Sequence, residues 1–172
     1  MFLDLSIFDV GELLIVNANK PNKSEYSTLV SIVERNEKDF IMKCLGSLGA
    51  SYIEGLEQTT PDQKWIDLRD GADYLKNGVT LHFNGLNEIE AHYIWFLYQE
   101  KVSQSTTNGE LQVSDEQVDN TYLLVNRWNE MVNLIGYNEN GFVPCLKDFL
   151  EAGDYEDANG AYEFKYKNQL IW

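Results

Sequence analysis

The sequence predicts an α+β domain that is mainly α-helical, a bundle of about four helices with a small β-hairpin and a short terminal strand. Three observations carry that expectation. Apolar residues recur at helical spacing in several long segments, two short segments flank the turn dipeptide Asn77-Gly78, and the 172 residues are 44% hydrophobic and 13% aromatic. A chain of that length and content buries enough apolar surface to offset the entropy of ordering it.

The opening segment, Phe2 to Val16, ends in Leu13-Leu14-Ile15-Val16 before Asn17, Asn19, Pro21 and Asn22, which predicts a short strand and then a loop. From Ser24 a helix is expected, with Tyr26, Leu29, Val30 and Val33 on one face. A second helical phase starts near Asn36, which is placed to cap, and carries Ile41, Leu45, Leu48, Tyr52 and Leu56. Gly46 and Gly49 within it predict close packing or a break between two helices. Thr59-Thr60-Pro61 ends the phase, and Lys64 to Gly71 is expected as a loop with apolar anchors. Ala72 to Phe83 then predicts a hairpin about Lys76-Asn77-Gly78.

Leu86 to Val102 is the most informative stretch. Leu86, Ile89, Tyr93, Phe96 and Leu97 make one helical face, while Ile94, Trp95 and Tyr98 fill the opposite one. A helix apolar all round must be covered all round, so either it is central to its own domain or a partner covers it. Trp95 and Tyr98 are therefore candidate interface residues. Gln104 to Gly109 predicts a loop, and a helix from Asp115 carries Val118, Tyr122, Val125, Trp128, Val132 and Ile135 up to Gly136. A short helix, Cys145 to Leu150, closes a domain spanning residues 1–150. Residues 151–172 form an acidic and aromatic tail, in which Tyr162, Phe164 and Tyr166 alternate as in a strand. The tail is expected to dock on its own or a neighbouring subunit, with Trp172 as a further interface candidate.

Charge is the strongest global signal, at 28 acidic against 13 basic residues and a formal net charge of −15. Such a field repels phosphate backbones, which argues against a conventional nucleic-acid binder. The acids cluster: Val102 to Asn126 holds Glu110, Asp115, Glu116 and Asp119 without a Lys or Arg, and Asp148 to Phe164 holds six acids, again without a base. That distribution suits solubility, or a surface that sits beside DNA without gripping it. No apolar run approaches the ~20 residues of a membrane span, and Asp4, Asp9 and Glu12 stand where a signal peptide would need a basic start.

Catalytic patterns are absent from the sequence: no Gly-x4-Gly-Lys-Ser/Thr, Gly-x-Gly-x-x-Gly, His-Glu-x-x-His or Gly-x-Ser-x-Gly. The tail acids fail the register of a calcium loop, since Gly160 as sixth residue would put Tyr155 first and Tyr166 twelfth. Cys44 and Cys145, about a hundred residues apart, are expected as buried thiols rather than a disulfide or metal pair. His82 and His92 lack ligand spacing. The expectation is a non-enzyme with no catalytic, cofactor-binding or metal-binding residues.

The order of elements then carries a resemblance. It runs through Glu34-Arg35-Asn36-Glu37-Lys38-Asp39-Phe40 to Leu45-Gly46, Trp65-Ile66-Asp67-Leu68-Arg69-Asp70-Gly71, the hairpin, and Asn84-Gly85-Leu86 launching the aromatic helix. A Ser/Thr-rich loop with Gly109 and a helix bearing Trp128-Asn129-Glu130-Met131 follow. This order resembles small head–tail connector (adaptor, or neck) proteins of tailed bacteriophages, particularly those from phages of gut bacteria, over most of residues 1–150. The resemblance implies a virion protein made in the host cytoplasm. Its partners would be the portal protein, tail or other neck proteins, and further copies of itself in a ring. DNA would pass without specific binding, along a channel faced by Glu110, Asp115 and Glu116. Two other classes stay open. The −15 charge also suits an acidic DNA mimic that inhibits a host nucleic-acid enzyme, and a small hydrolase or metal enzyme would place a deep pocket near His82 and His92.

Overall fold

The computed structural model describes residues 1–106, 115–137, 144–153, 155 and 164–167, with the side chains of 104–106, 115–120 and 137 outside the description. Two 3-10 turns, Leu5–Phe8 and Gly11–Leu13, precede α1 (Ser24–Leu45), α2 (Leu48–Glu57) and α3 (Gln63–Asp70). The hairpin β1 (Ala72–Lys76) and β2 (Val79–Phe83) leads into α4 (Leu86–Thr106). After α5 (Asp115–Val132) come a π-helical turn, Asn133–Tyr137, and α6 (Leu146–Ala152). The mainly helical α+β class is as expected, with six α-helices among the described residues instead of about four.

The extra helices have local causes. Ser24 to Leu45 is one helix, and Asn36 caps nothing: it lies mid-helix and donates its side-chain amide to the Ile32 carbonyl at 2.7 Å. The break falls at Gly46, whose N–H closes α1 on the Met42 carbonyl at 2.9 Å before α2 starts. Residues 64–71, expected as a loop, are mostly α3, because Trp65 and Leu68 lie three apart and bury one face of a short amphipathic helix. The opening segment is not a strand. Leu3, Phe8, Leu13 and Ile15 enter the core at spacings of five, five and two, which no two-residue alternation supplies. Ser6 N–H donates to Asp4 Oδ1 at 2.9 Å to nucleate the first turn, and Ile15 N–H folds back onto the Phe8 carbonyl at 2.9 Å.

The hairpin forms as expected, in the register Ala72↔Phe83 through Lys76↔Val79. Asn77 and Gly78 have φ of 52° and 79°, the signs a two-residue type I′ turn requires. Its base is anchored where Phe83 stacks on Phe149 of α6 at 4.6 Å and Tyr74 meets the same ring edge-on at 5.8 Å. Its tip is bare, with Leu75 64% and Val79 58% exposed.

The most enclosed element is α4. Leu86, Ile89, Ala91, Tyr93, Ile94, Trp95, Phe96 and Tyr98 are all buried, so between Leu86 and Tyr98 the helix keeps no solvated face. α1, α3 and α5 and both 3-10 turns touch it. Of the two covers the sequence allowed, the chain supplies the first: Trp95 and Tyr98 are 4% and 8% exposed within one subunit and present no surface to a neighbour as they stand.

Where α3 meets β1 and β2 meets α4, two backbones cross at Gly71 and Gly85. A Cβ on Gly85 would stand 2.4 Å from the Arg69 carbonyl oxygen and 2.6 Å from the Asp70 carbonyl carbon, at φ +95°. Neither neighbour is a side chain that could swing away. Gly85→Ala is predicted to cost about 3 kcal/mol through combined overlap and backbone strain. Gly78→Ala, at φ +79° with nothing within 4 Å, is predicted to cost about 1 kcal/mol from strain alone. Urea unfolding midpoints of the two variants, compared with the parent, check the difference.

Candidate functional site

An all-round buried helix leaves its polar residues nowhere to go, and α4 carries three acidic or imidazole side chains in its first two turns: Glu88, Glu90 and His92. Glu90 is 2% exposed. Its Oε1 has no hydrogen-bond partner, and burial, followed by repulsion from Glu37, pushes its carboxyl well above the usual range, which favours the neutral form. Glu37 of α1 is 3% exposed but well supplied. Its Oε1 accepts the N–H of Phe2 and, at 2.9 Å, that of Leu3, and its Oε2 lies 3.5 Å from the Met1 amino group. Cys44 of α1 and Tyr52 of α2 border the same interior; burial, with Glu90 next in effect, raises both above their ordinary values. Burial thus disfavours the thiolate of Cys44, the form in which a cysteine reacts.

Two residues further along, His92 is 8% exposed and faces α5. Its Nδ1 lies 4.0 Å from Glu130, beyond hydrogen-bonding reach. Arg127 binds Glu130 at 2.6 Å and also Glu12 of the second 3-10 turn, so one guanidinium ties α5 to the amino-terminal segment. Burial lowers the His92 pKa against the pull of the surrounding carboxylates of Glu130, Glu88 and Glu12. His82, by contrast, is on the exposed face of β2, paired at 2.7 Å with Asp73 across the hairpin. The two histidines thus lie in separate settings, and no group of three or more metal-ligating side chains forms among the described residues.

A cavity of about 140 Å³ opens at the corner of β2 and α4, lined by Phe83, Gly85, Glu88, Ile89, Leu134 and Pro144 among others. A cleft of about 320 Å³ lies between α3, β1 and α6, bounded by Lys64, Asp67, Asp73 and Tyr155. Neither is lined by Glu37, Glu90 or Cys44, so the buried carboxyls face no ligand-sized space there.

The other candidate residues fall as follows. Asp115 and Glu116 begin α5, and their side chains lie outside the description; Glu110 and Trp172 lie outside the described residues altogether. The described part of the expected terminal strand, residues 164–167, pairs with no strand among the described residues and is held by α5 instead. Trp128 donates its indole N–H to the Lys165 carbonyl at 2.8 Å, and the Asn129 amide both donates to the Lys167 carbonyl (3.1 Å) and accepts its N–H (2.9 Å). Phe164 is buried among Phe40, Tyr93 and Trp128 of the same chain. Cys44 and Cys145 are free and buried, as expected.

Glu37 and Glu90 were not singled out by the sequence reading, although a signal existed. Glu90 falls in the apolar run Leu86, Ile89, Tyr93, Ile94, and Glu37 stands four residues from both Val33 and Ile41 on the buried face of α1. No protein-family model, curated protein or solved structure matches the chain.

His92 generates a pH prediction. With its pKa lowered in the fold from an ordinary 6.5, its contribution to stability is present above that value. It is lost as pH falls towards the lowered one, at up to about 1.4 kcal/mol per pH unit. His92→Gln is predicted to shrink the fall in unfolding midpoint between pH 7 and 5 relative to the parent. An unchanged acid-side slope in the variant would remove His92 from the account.

Proposed function

We propose that the chain is a structural protein of a phage neck, joining others in a ring between portal and tail and extending the DNA exit channel. The observation that carries this reading is the disposition of apolar surface. The core is closed inside one subunit, yet large apolar side chains remain exposed, on α1, α4 and α5 (Met42, Val102, Tyr122 and Leu123) and on two non-helical pieces. On those pieces they are Leu75 and Val79 at the hairpin tip, and Val10, Leu14 and Val16 at 74%, 49% and 67% exposure on the amino-terminal segment. Each strand of the hairpin has one unpaired edge among the described residues, able to add a strand from a neighbour. The net charge of −15 supports a channel wall that DNA slides past, since it disfavours adhesion to phosphate. The element order over residues 1–150 adds its resemblance to connectors. No residue is assigned a catalytic role.

Mass photometry of the protein with the portal protein from the same genome tests the reading. The portal peak is expected to gain a near-integer set of copies. The double substitution Leu75→Glu, Val79→Glu is expected to abolish that gain without lowering the unfolding midpoint, because both positions are exposed. A portal peak unchanged by folded parent protein would overturn the connector reading. Salt-sensitive capture of a basic host nuclease would then favour the DNA mimic, which the same charge suits.

A further inference from the structure

Residues 1–16 form a strap rather than a framework element. They contribute four core plugs, Leu3, Phe8, Leu13 and Ile15, laid over α4 through two 3-10 turns. Each end of the strap is fastened by charge. Glu37 holds the N–H groups of Phe2 and Leu3, and Arg127 holds Glu12. Each fastening lies beside a buried titratable residue of α4, Glu90 at the first and His92 at the second.

We propose that the strap is a proton-gated latch, held down while Glu90 is neutral and loosened when Glu90 ionises against Glu37. The geometry makes Glu90 the control. It is 2% exposed, and its Oε1 has no donor to accept from, so ionisation would leave that oxygen unsolvated. The groups facing it are Glu37 and Cys44 from α1, Tyr52 from α2, and the Met1 amino group from the strap itself. Of these only the amino group is cationic, and it is already engaged by Glu37. A second negative charge beside Glu37 would therefore meet a single nearby cation, one that Glu37 already holds. Relief comes most cheaply by opening the strap, since α1 and α4 are locked into the core and residues 1–3 are not helical.

The sign follows from linkage. A carboxyl whose folded pKa is raised above 4.5 costs nothing at low pH, and closed-strap stability falls as pH rises through and beyond that value. Amide hydrogen exchange, expressed as protection factors and so corrected for intrinsic rate, reads this locally at pH 6 and pH 9. In the parent, protection of residues 2–8 is expected to fall about tenfold or more while that of α1 stays level. Glu90→Gln, nearly isosteric and unable to ionise, is expected to hold strap protection constant across the range. Glu37→Gln, which keeps an acceptor but loses the charge, is expected to give weak strap protection at both pH values. Parent protection that does not change between pH 6 and 9, or a Glu90→Gln variant that falls as the parent does, would overturn the latch. Level parent protection overturns the latch even if a variant fails to fold, whereas a fall in the parent supports it only where Glu90→Gln removes that fall, because α-amino groups ordinarily lose their proton in the same window.

Discussion

Between Leu86 and Tyr98 no residue of α4 is exposed, ten are buried and only Asn87, Glu88 and Leu97 are half-buried. A helix of this kind is stable only inside a sheath, because each buried Ile, Leu or Phe contributes about 1.5–3 kcal/mol only once it is covered. The chain builds the sheath from unlike parts. α1 and α5 lie along the helix, α3 packs against it, and the amino-terminal strap fills a remaining gap with single side chains. Even the far tail takes part, through Phe164, which completes a ring cluster with Phe40 and Tyr93 at 5.6 Å each. Lys167 finishes that region, with its ammonium 4.0 Å above Phe96 and 4.2 Å above Trp128.

A complete sheath is expensive for polar groups. Burial disfavours the charged forms of Glu90 and His92, Trp95 buries an indole N–H with no acceptor, and Arg127 is largely buried while pairing with two exposed acids. Packing alone does not call for ionisable groups at these positions, since an apolar residue of like size avoids the desolvation cost. Their placement at the two fastenings of the strap gives the cost a purpose: the segment least integrated into the helices is the one whose hold depends on protonation.

Sequence periodicity revealed the parts whose signal is local. The hairpin was legible because Asn77-Gly78 supplies positive φ where the turn needs it, and α4 and α5 because their apolar spacing runs for several turns. The helix α3 was missed because eight residues with two buried anchors, Trp65 and Leu68, give too short a period to register. The strap was misread as a strand because Leu13 to Val16 is an apolar run, and the folding-back of Ile15 onto Phe8 is a tertiary event. The choice between a central helix and a partner-covered one was not decidable from α4 itself. Its covering residues come from Leu3 to Phe164, and only the fold brings them together. The buried acids were hidden for the same reason: a Glu reads as solvent-facing until every face of its helix is found occupied.

Enclosure of α4 by one subunit unaided has a direct readout in the concentration dependence of unfolding. A cooperative thermal transition is expected, with a midpoint constant from about 1 to 100 µM protein, because no part of the core waits for a second chain. A midpoint that climbs with concentration, or a molten, dye-binding state at the dilute end, would contradict it and return Trp95 and Tyr98 to a subunit interface.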